Sequence, residues 1–329
     1  MWLLILALIL GFIALVWSAD KFLSGAASTA NHLGVSKMLI GLTVVSVGTS
    51  APEILVAFAA SFEGKGLLAI GNAIGSNIAN IGLVLAITAL LAPLPIQKHL
   101  LVQEIPILIG VTLLAGLFMR DNHLVFWEGL CLVLLIIPLL GSMIFIKKKY
   151  PSEEEEAVEI PEFGLGPAAV WFFIGIIALA VSAKILVWGA VTIAVSFGVS
   201  ELIIGLTVVA IGTSLPELAA SAMSALRGQH DIALGNIIGS NIFNILAVMS
   251  IPGLVANLDV DRNALYRDYM VMLAITLFLS AALIVDYRLK GKRRYGHLGR
   301  VIGTLLLLCY VAYTGVLVFD AVNTPATNS

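Results

Sequence analysis

The stretch GLTVVSVGTSAPE, Gly41 to Glu53, begins as an apolar membrane segment and then places threonine, serine, proline and a carboxylate where lipid-compatible residues should continue. It returns as GLTVVAIGTSLPE, Gly205 to Glu217, at an offset of 164 residues. A carboxylate near the bilayer midplane costs about 2.5–3.5 kcal/mol on insertion scales, so such residues face protein or water and are functional by default. The same offset aligns 34–53 with 198–217 at 14 identities in 20 positions, and GNAIGSNIAN (71–80) with GNIIGSNIFN (235–244) at 8 in 10. One duplicated unit accounts for both matches.

The surrounding composition explains what the unit is made of. The chain has 329 residues, 60% of them hydrophobic and 12% charged, with a mean hydropathy of +1.05. Those values lie outside the soluble globular range and predict an all-α polytopic membrane protein. Apolar runs long enough to span a bilayer fall near 2–31, 37–62, 66–92, 102–119, 124–146, 167–197, 202–226, 231–256, 266–286 and 298–320. The predicted fold is therefore ten transmembrane helices, five in each copy. Because five is odd, the second copy enters the membrane from the opposite side, giving two inverted five-helix repeats over 1–146 and 167–329. The apolar N-terminus has no basic leader and matches the mid-chain segment 167–197, so it reads as the first span rather than a signal peptide. Cys131 and Cys309 fall inside predicted spans and read as buried thiols, outside any disulfide framework or metal site.

A net charge of -2 gives no sign of nucleic-acid binding, but the distribution of the charges carries information. With the N-terminus outside, the inner face receives Lys37, Lys98, Lys147, Lys148, Lys149, Arg227, Arg288, Lys290, Lys292, Arg293, Arg294 and Arg300. The outer face receives only Lys65, Arg120, Arg262 and Arg267. The positive-inside rule then places both termini outside and the connection 147–166 in the cytoplasm. That connection, with KKKYPSEEEEAVEIPEFG at its heart, reads as a solvated hinge between halves. It has neither the spacing nor the turn glycine of an EF-hand loop.

The chemistry of the repeated stretches follows from spacing. Ser46, Thr49, Ser50 and Glu53 recur at intervals that put their oxygens on one helix face, as do Ala210, Thr213, Ser214 and Glu217. Pro52 and Pro216 each withhold a backbone donor, which predicts free carbonyls near Gly48 and Gly212. The following span supplies a second polar wall, Asn72, Ser76 and Asn80, matched by Asn236, Ser240 and Asn244. The glycines interleaved with that wall form GxxxG patterns, read as close helix packing. All these candidates are hard oxygen donors, suited to Na⁺, Ca²⁺ or Mg²⁺, and Ca²⁺ accepts six to eight flexible oxygens whereas Mg²⁺ keeps its waters. Two carboxylates balance one Ca²⁺ or two Na⁺. The histidines His32, His99, His123, His230 and His297 all fall at predicted loops or span ends, away from this wall. An intramembrane protease would need a positioned base or an aspartyl pair, so an enzyme is not expected. A channel would call for a ring of subunits, whereas one chain already closes a pseudo-symmetric site.

The paired GTSAPE/GTSLPE and GSNIAN/GSNIFN stretches resemble the alpha repeats of the sodium/calcium exchanger family, within the cation/calcium antiporter superfamily, and the resemblance covers nearly the whole chain. It is closest to the compact prokaryotic type, without a large cytoplasmic regulatory loop, in the inner membrane. The resemblance implies antiport of Ca²⁺ against Na⁺ by alternating access, with no cofactor and with cation sites between the second, third, seventh and eighth spans. It implies liganding roles for Glu53, Glu217, Thr49, Ser50, Thr213, Ser214, Ser76, Asn80, Ser240 and Asn244, with carbonyl ligands near Ser46 and Ala210. Some relatives carry aspartate where Asn244 stands, so this chain has one carboxylate fewer. A Ca²⁺/H⁺ antiporter is the alternative on the same fold, since a desolvated glutamate can carry H⁺ in place of Na⁺. Asp20 and Lys184, aligned by the same offset, are expected to snorkel or make local helix contacts.

Overall fold

The computed structural model describes residues 2–33, 40–149, 164–197, 210–260, 264–290 and 296–323. The first part of the expected seventh span, 202–209, and most of the connection, 150–163, lie outside the described residues, as do Lys37, Arg262, Lys292, Arg293 and Arg294 of the charge tally. We number the helices α1 (Trp2–Leu33), α2 (Gly41–Thr49), α3 (Ala51–Phe62), α4 (Gly66–Leu91), α5 (Leu100–Phe118) and α6 (Phe126–Lys149) in the first half. The second half holds α7 (Leu165–Ser196), α8 (Ala210–Thr213), α9 (Leu215–Leu226), α10 (His230–Val255), α11 (Tyr266–Leu289) and α12 (Arg300–Asn323). Seven of these are each long and apolar enough to cross a membrane. An eighth span is the broken pair α2 and α3, bent by 51° at Ser50, and α6 contains a shorter apolar stretch, Phe126–Ser142. The protein is thus a polytopic membrane protein of the all-α class, with only a few short strands.

Inversion is visible in how the related helices run. Gly11 packs against Leu186, Gly175 against Phe22 and Gly189 against Leu8, so α1 and α7 lie antiparallel. The approach is backbone to backbone: a Cβ on Gly175 would sit 2.5 Å from the Phe22 nitrogen, and one on Gly25 would sit 2.7 Å from the Ala168 carbonyl oxygen. Only glycine permits that spacing. Two short antiparallel strand pairs clasp the halves together. β1 (Leu94–Ile96) pairs with β4 (Gly296–Leu298), and β2 (His123–Leu124) with β3 (Leu258–Asp259). Helix α5 runs from β1 to β2, so the clasps lie at opposite ends of the bundle.

Burial is graded from the centre outward. In α10, 94% of the best apolar window is buried and in α4 72%, against 22% in α1, α7 and α12. A main core built on α4, α5, α10 and α11 is separate from a smaller one between α1 and α7. Cys131 and Cys309 correct the sequence expectation, because both are exposed on outer helix faces. Apolar periodicity cannot separate a lipid-facing from a core-facing position when both sides favour hydrocarbon. Asp20 lies 3.8 Å from Lys21 of its own helix, but its main partner is Arg227 of the other half, whose guanidinium also donates to Ser24 Oγ at 2.8 Å, joining α1 to the end of α9. Lys184 is exposed.

Candidate cation site

Four elements meet at the centre of the bundle. Helix α2 ends at Thr49, and Pro52 at the start of α3 forces the chain to restart after Ser50, whose backbone is non-helical. The same break recurs at Ser214, with Pro216 at the start of α9. Each break leaves its glutamate in the first turn of a new helix, where the N-terminal dipole favours a carboxylate. The prediction of free carbonyls needs correction at Gly48, whose carbonyl accepts a backbone N–H at the cap. A tightened final turn replaces the bond that proline withholds. The Ser46 carbonyl accepts the Ser50 N–H at 2.9 Å and also lies 3.4 Å from Thr49 Oγ1.

Across these breaks the two halves touch. Ser50 Oγ donates to Glu217 Oε1 at 3.1 Å. Thr49 Oγ1 donates to Asn236 Oδ1 at 3.1 Å and lies 3.5 Å from Ser240 Oγ. Asn236 Nδ2 donates to Ser221 Oγ at 2.8 Å and to the Glu217 carbonyl at 3.4 Å. Ser46, Thr49, Ser50, Glu53, Ser76, Asn80, Ser214, Glu217, Ser240 and Asn244 are all buried. Thr213 is half-buried, and Ala210 is the first residue of α8.

The most informative atoms are the unpartnered ones. Glu53 Oε2, Glu217 Oε2, Ser214 Oγ and both amide atoms of Asn80 and Asn244 are buried without a hydrogen-bond partner. Leaving such groups unmade costs roughly 1–3 kcal/mol each, and more for a charged one, unless a ligand completes them. Among the described residues no three histidine, cysteine, aspartate or glutamate side chains gather into a cluster. The donor set is therefore two carboxylates filled out by hydroxyl and amide oxygens, which fits a hard cation. An apolar crevice beside it, lined by Leu42, Ile107, Phe243 and Leu246 among others, offers no ligand.

Two features escaped sequence reasoning. Asn80 and Asn244 each open a π-helical segment, Asn80–Leu85 and Asn244–Val248, an insertion that often marks functional sites. Met249 N–H accordingly donates five residues back, to the Asn244 carbonyl at 2.9 Å. The signal available in the sequence was the matched Asn in GSNIAN and GSNIFN, but its spacing alone does not distinguish α from π. Asn77 and Asn241, in the same motifs, are likewise buried with unpartnered amide atoms.

The family model for sodium/calcium exchanger protein matches residues 3–145 and 167–319, nearly the whole of both halves. The chain belongs to the sodium/calcium exchanger family. Among relatives of this exchanger, CaxA of Alkalimonas amylolytica is 45% identical over 94% of this chain and 97% of its own length. The sodium/calcium exchanger MaX1 of Methanosarcina acetivorans is 32% identical over 95% of this chain and 98% of its own. The solved sodium-calcium exchanger NCX_Mj, soaked with 10 mM Na⁺ and zero Ca²⁺, superimposes with a TM-score of 0.80 at 33% identity, covering 96% of this exchanger and 99% of NCX_Mj. Membership of this family makes the chain a membrane transporter and not an enzyme.

Proposed function

We propose that this protein is an antiporter that exchanges Ca²⁺ for Na⁺ by alternating access, through a midplane site formed by the second, third, seventh and eighth spans of a ten-span fold. The observation that carries this reading is the cage just described. Glu53 and Glu217 stand on opposite halves, each with an unpartnered buried oxygen, and Asn80, Asn244 and Ser214 likewise carry buried atoms without a partner. Two ionised carboxylates balance one Ca²⁺ and also take Na⁺, while the hydroxyls and amides complete an oxygen shell. Thr49, Ser50, Thr213, Ser76 and Ser240, with the Ser46 and Ala210 carbonyls, complete the proposed ligand set. One chain supplies both halves, so a monomer suffices for the site.

Reconstitution tests the coupling ion directly. ⁴⁵Ca²⁺ uptake into proteoliposomes, with the membrane potential clamped, should follow an outward Na⁺ gradient and not an outward H⁺ gradient. Uptake driven by H⁺ alone would make the protein a Ca²⁺/H⁺ antiporter.

For orientation we take both termini outside, the connection 147–166 in the cytoplasm as linker between repeats 1–146 and 167–329, and the inner membrane as location. The lysine and arginine bias supports this, as does the name of a relative 37% identical over 94% of this chain, the inner membrane protein YrbG of Escherichia coli. Cysteines placed at Glu63 and Asp121 in a chain lacking its native thiols should react with an impermeant maleimide from outside, and one at Ala157 only from inside. External labelling at 157 in sealed cells would reverse the assignment.

A further inference from the structure

The two repeats put matching residues in unequal surroundings. Asn236 and Asn72 occupy equivalent positions, and each aims its amide nitrogen at the backbone carbonyl of its own half's glutamate, 3.4 Å from Glu217 and 3.5 Å from Glu53. Beyond that they diverge. Asn236 is fully buried, donates also to Ser221 Oγ at 2.8 Å and accepts from Thr49 Oγ1 at 3.1 Å, so one side chain joins α10, α9 and α2. Asn72 is partly exposed, and the position matching Ser221 is Ala57, which offers a methyl group.

The neighbouring glycines show the same inequality. A Cβ on Gly239 would lie 2.5 Å from Ser46 Oγ and 2.6 Å from the Leu42 carbonyl oxygen, whereas one on the equivalent Gly75 meets nothing within 4 Å among the described residues, as at Gly71. Helix α10 starts at the β1–β4 end, where Gln97 Nε2 donates to Asp231 at 2.8 Å. Helix α4 starts at the other end, where Gly66 abuts Leu258 of β3. Gly235 and Asn236 are buried, whereas Gly71 is exposed and Asn72 half-buried, so the wall is closed toward β1–β4 and more exposed toward β2–β3.

We propose that Asn236 and Ser221 are positioning residues that latch the β1–β4 half of the site shut around Thr49. Serine at 221 against alanine at 57 biases the resting chain toward the conformation open at the β2–β3 end. The proposal rests on alternating access at the site described above. In an inverted-repeat transporter the halves exchange arrangements, and a two-state equilibrium moves only by what differs between its states. A hydrogen bond made in one state and absent from the other shifts the ratio roughly threefold to tenfold.

The test uses Gly71→Cys, at an exposed position of α4, in the full chain carrying Cys131→Ser and Cys309→Ser. The rate of modification by an impermeant maleimide from the β2–β3 side reads the open population and needs no transported ion. Ser221→Ala should slow modification roughly threefold to tenfold, and Ala57→Ser, which gives Asn72 the partner it lacks, should slow it too. Ser221→Thr should restore the parent rate. Simple loosening of the helices would speed modification instead, so an unchanged or raised rate in either variant overturns the proposal. If Na⁺ fails to drive Ca²⁺ uptake, the coupling ion is wrong, while the labelling rates still decide the latch.

Discussion

Glu53→Gln and Glu217→Gln, each alone, should abolish Na⁺-driven Ca²⁺ uptake while the protein remains inserted and folded. Both carboxylates are about 1% exposed, and each has one oxygen with no partner. Glutamine keeps the shape and removes the charge. Taking one partner from a buried ionic contact costs on the order of 3–5 kcal/mol, which lowers cation affinity by roughly two to three orders of magnitude. The ion-free protein should respond in the opposite sense, because an uncompensated buried charge has been replaced by a neutral amide. Its thermal midpoint in detergent without Na⁺ or Ca²⁺ should stay level or rise, and stabilisation by added Ca²⁺ should vanish. Uptake above about a tenth of the parent rate in a correctly inserted double variant would remove these residues from the ion path, since losses of the size given above leave far less.

Asn244→Asp should produce the next largest change, and of a different kind. With both glutamates ionised the site carries about -2, so one Ca²⁺ is balanced, and if about three Na⁺ exchange for it they leave an excess near +1 in low-dielectric surroundings. Asn244 is fully buried, neither of its amide atoms has a partner, and it opens the π-helical segment beside the site. Aspartate there brings the charge to about -3. The Na⁺-loaded form becomes neutral and the Ca²⁺-loaded form negative, so voltage dependence should move from the Na⁺ step to the Ca²⁺ step. Cation binding should tighten by roughly tenfold or more and release should slow. Protonating the new carboxylate restores the charge of asparagine, so variant and parent should converge as pH falls. Flux against clamped potential at two pH values measures both effects. Identical voltage and pH profiles would show that position 244 does not face the ions.

How much of this was legible beforehand depends on which physical signal each feature leaves in a sequence. The broken helices were readable because proline and a carboxylate inside an apolar run violate the rules for a lipid-exposed helix. The polar wall was readable because its members repeat at helical spacing in both halves. Inversion followed from an odd number of spans, and the antiparallel packing of α1 on α7 agrees with it. By contrast, the lipid-facing positions of Cys131 and Cys309 were misread as buried, since hydropathy is blind to which apolar phase a side chain meets. The Asp20–Arg227 pair was hidden because its partners are 207 residues apart and unrelated by the repeat. The difference between Asn72 and Asn236 left only one trace, alanine at 57 against serine at 221, and nothing in the sequence ties that pair to the asparagines. Identical letters in two repeats describe one average arrangement, whereas a transporter at rest must hold them in two.

The strand clasps carry a consequence for how such a chain could have arisen. β1 pairs with β4 and β2 with β3, so both pairings join one half to the other and neither closes a half on itself. The helix contact between α1 and α7 also crosses the boundary, and the main core draws on both sides. Each half thus meets the other as one protomer meets its mate in a two-fold dimer with self-complementary faces. A single ancestral five-span protein, inserting in both orientations, would already have possessed every one of these contacts. On that account fusion would leave the two copies free to diverge at positions such as 57 and 221.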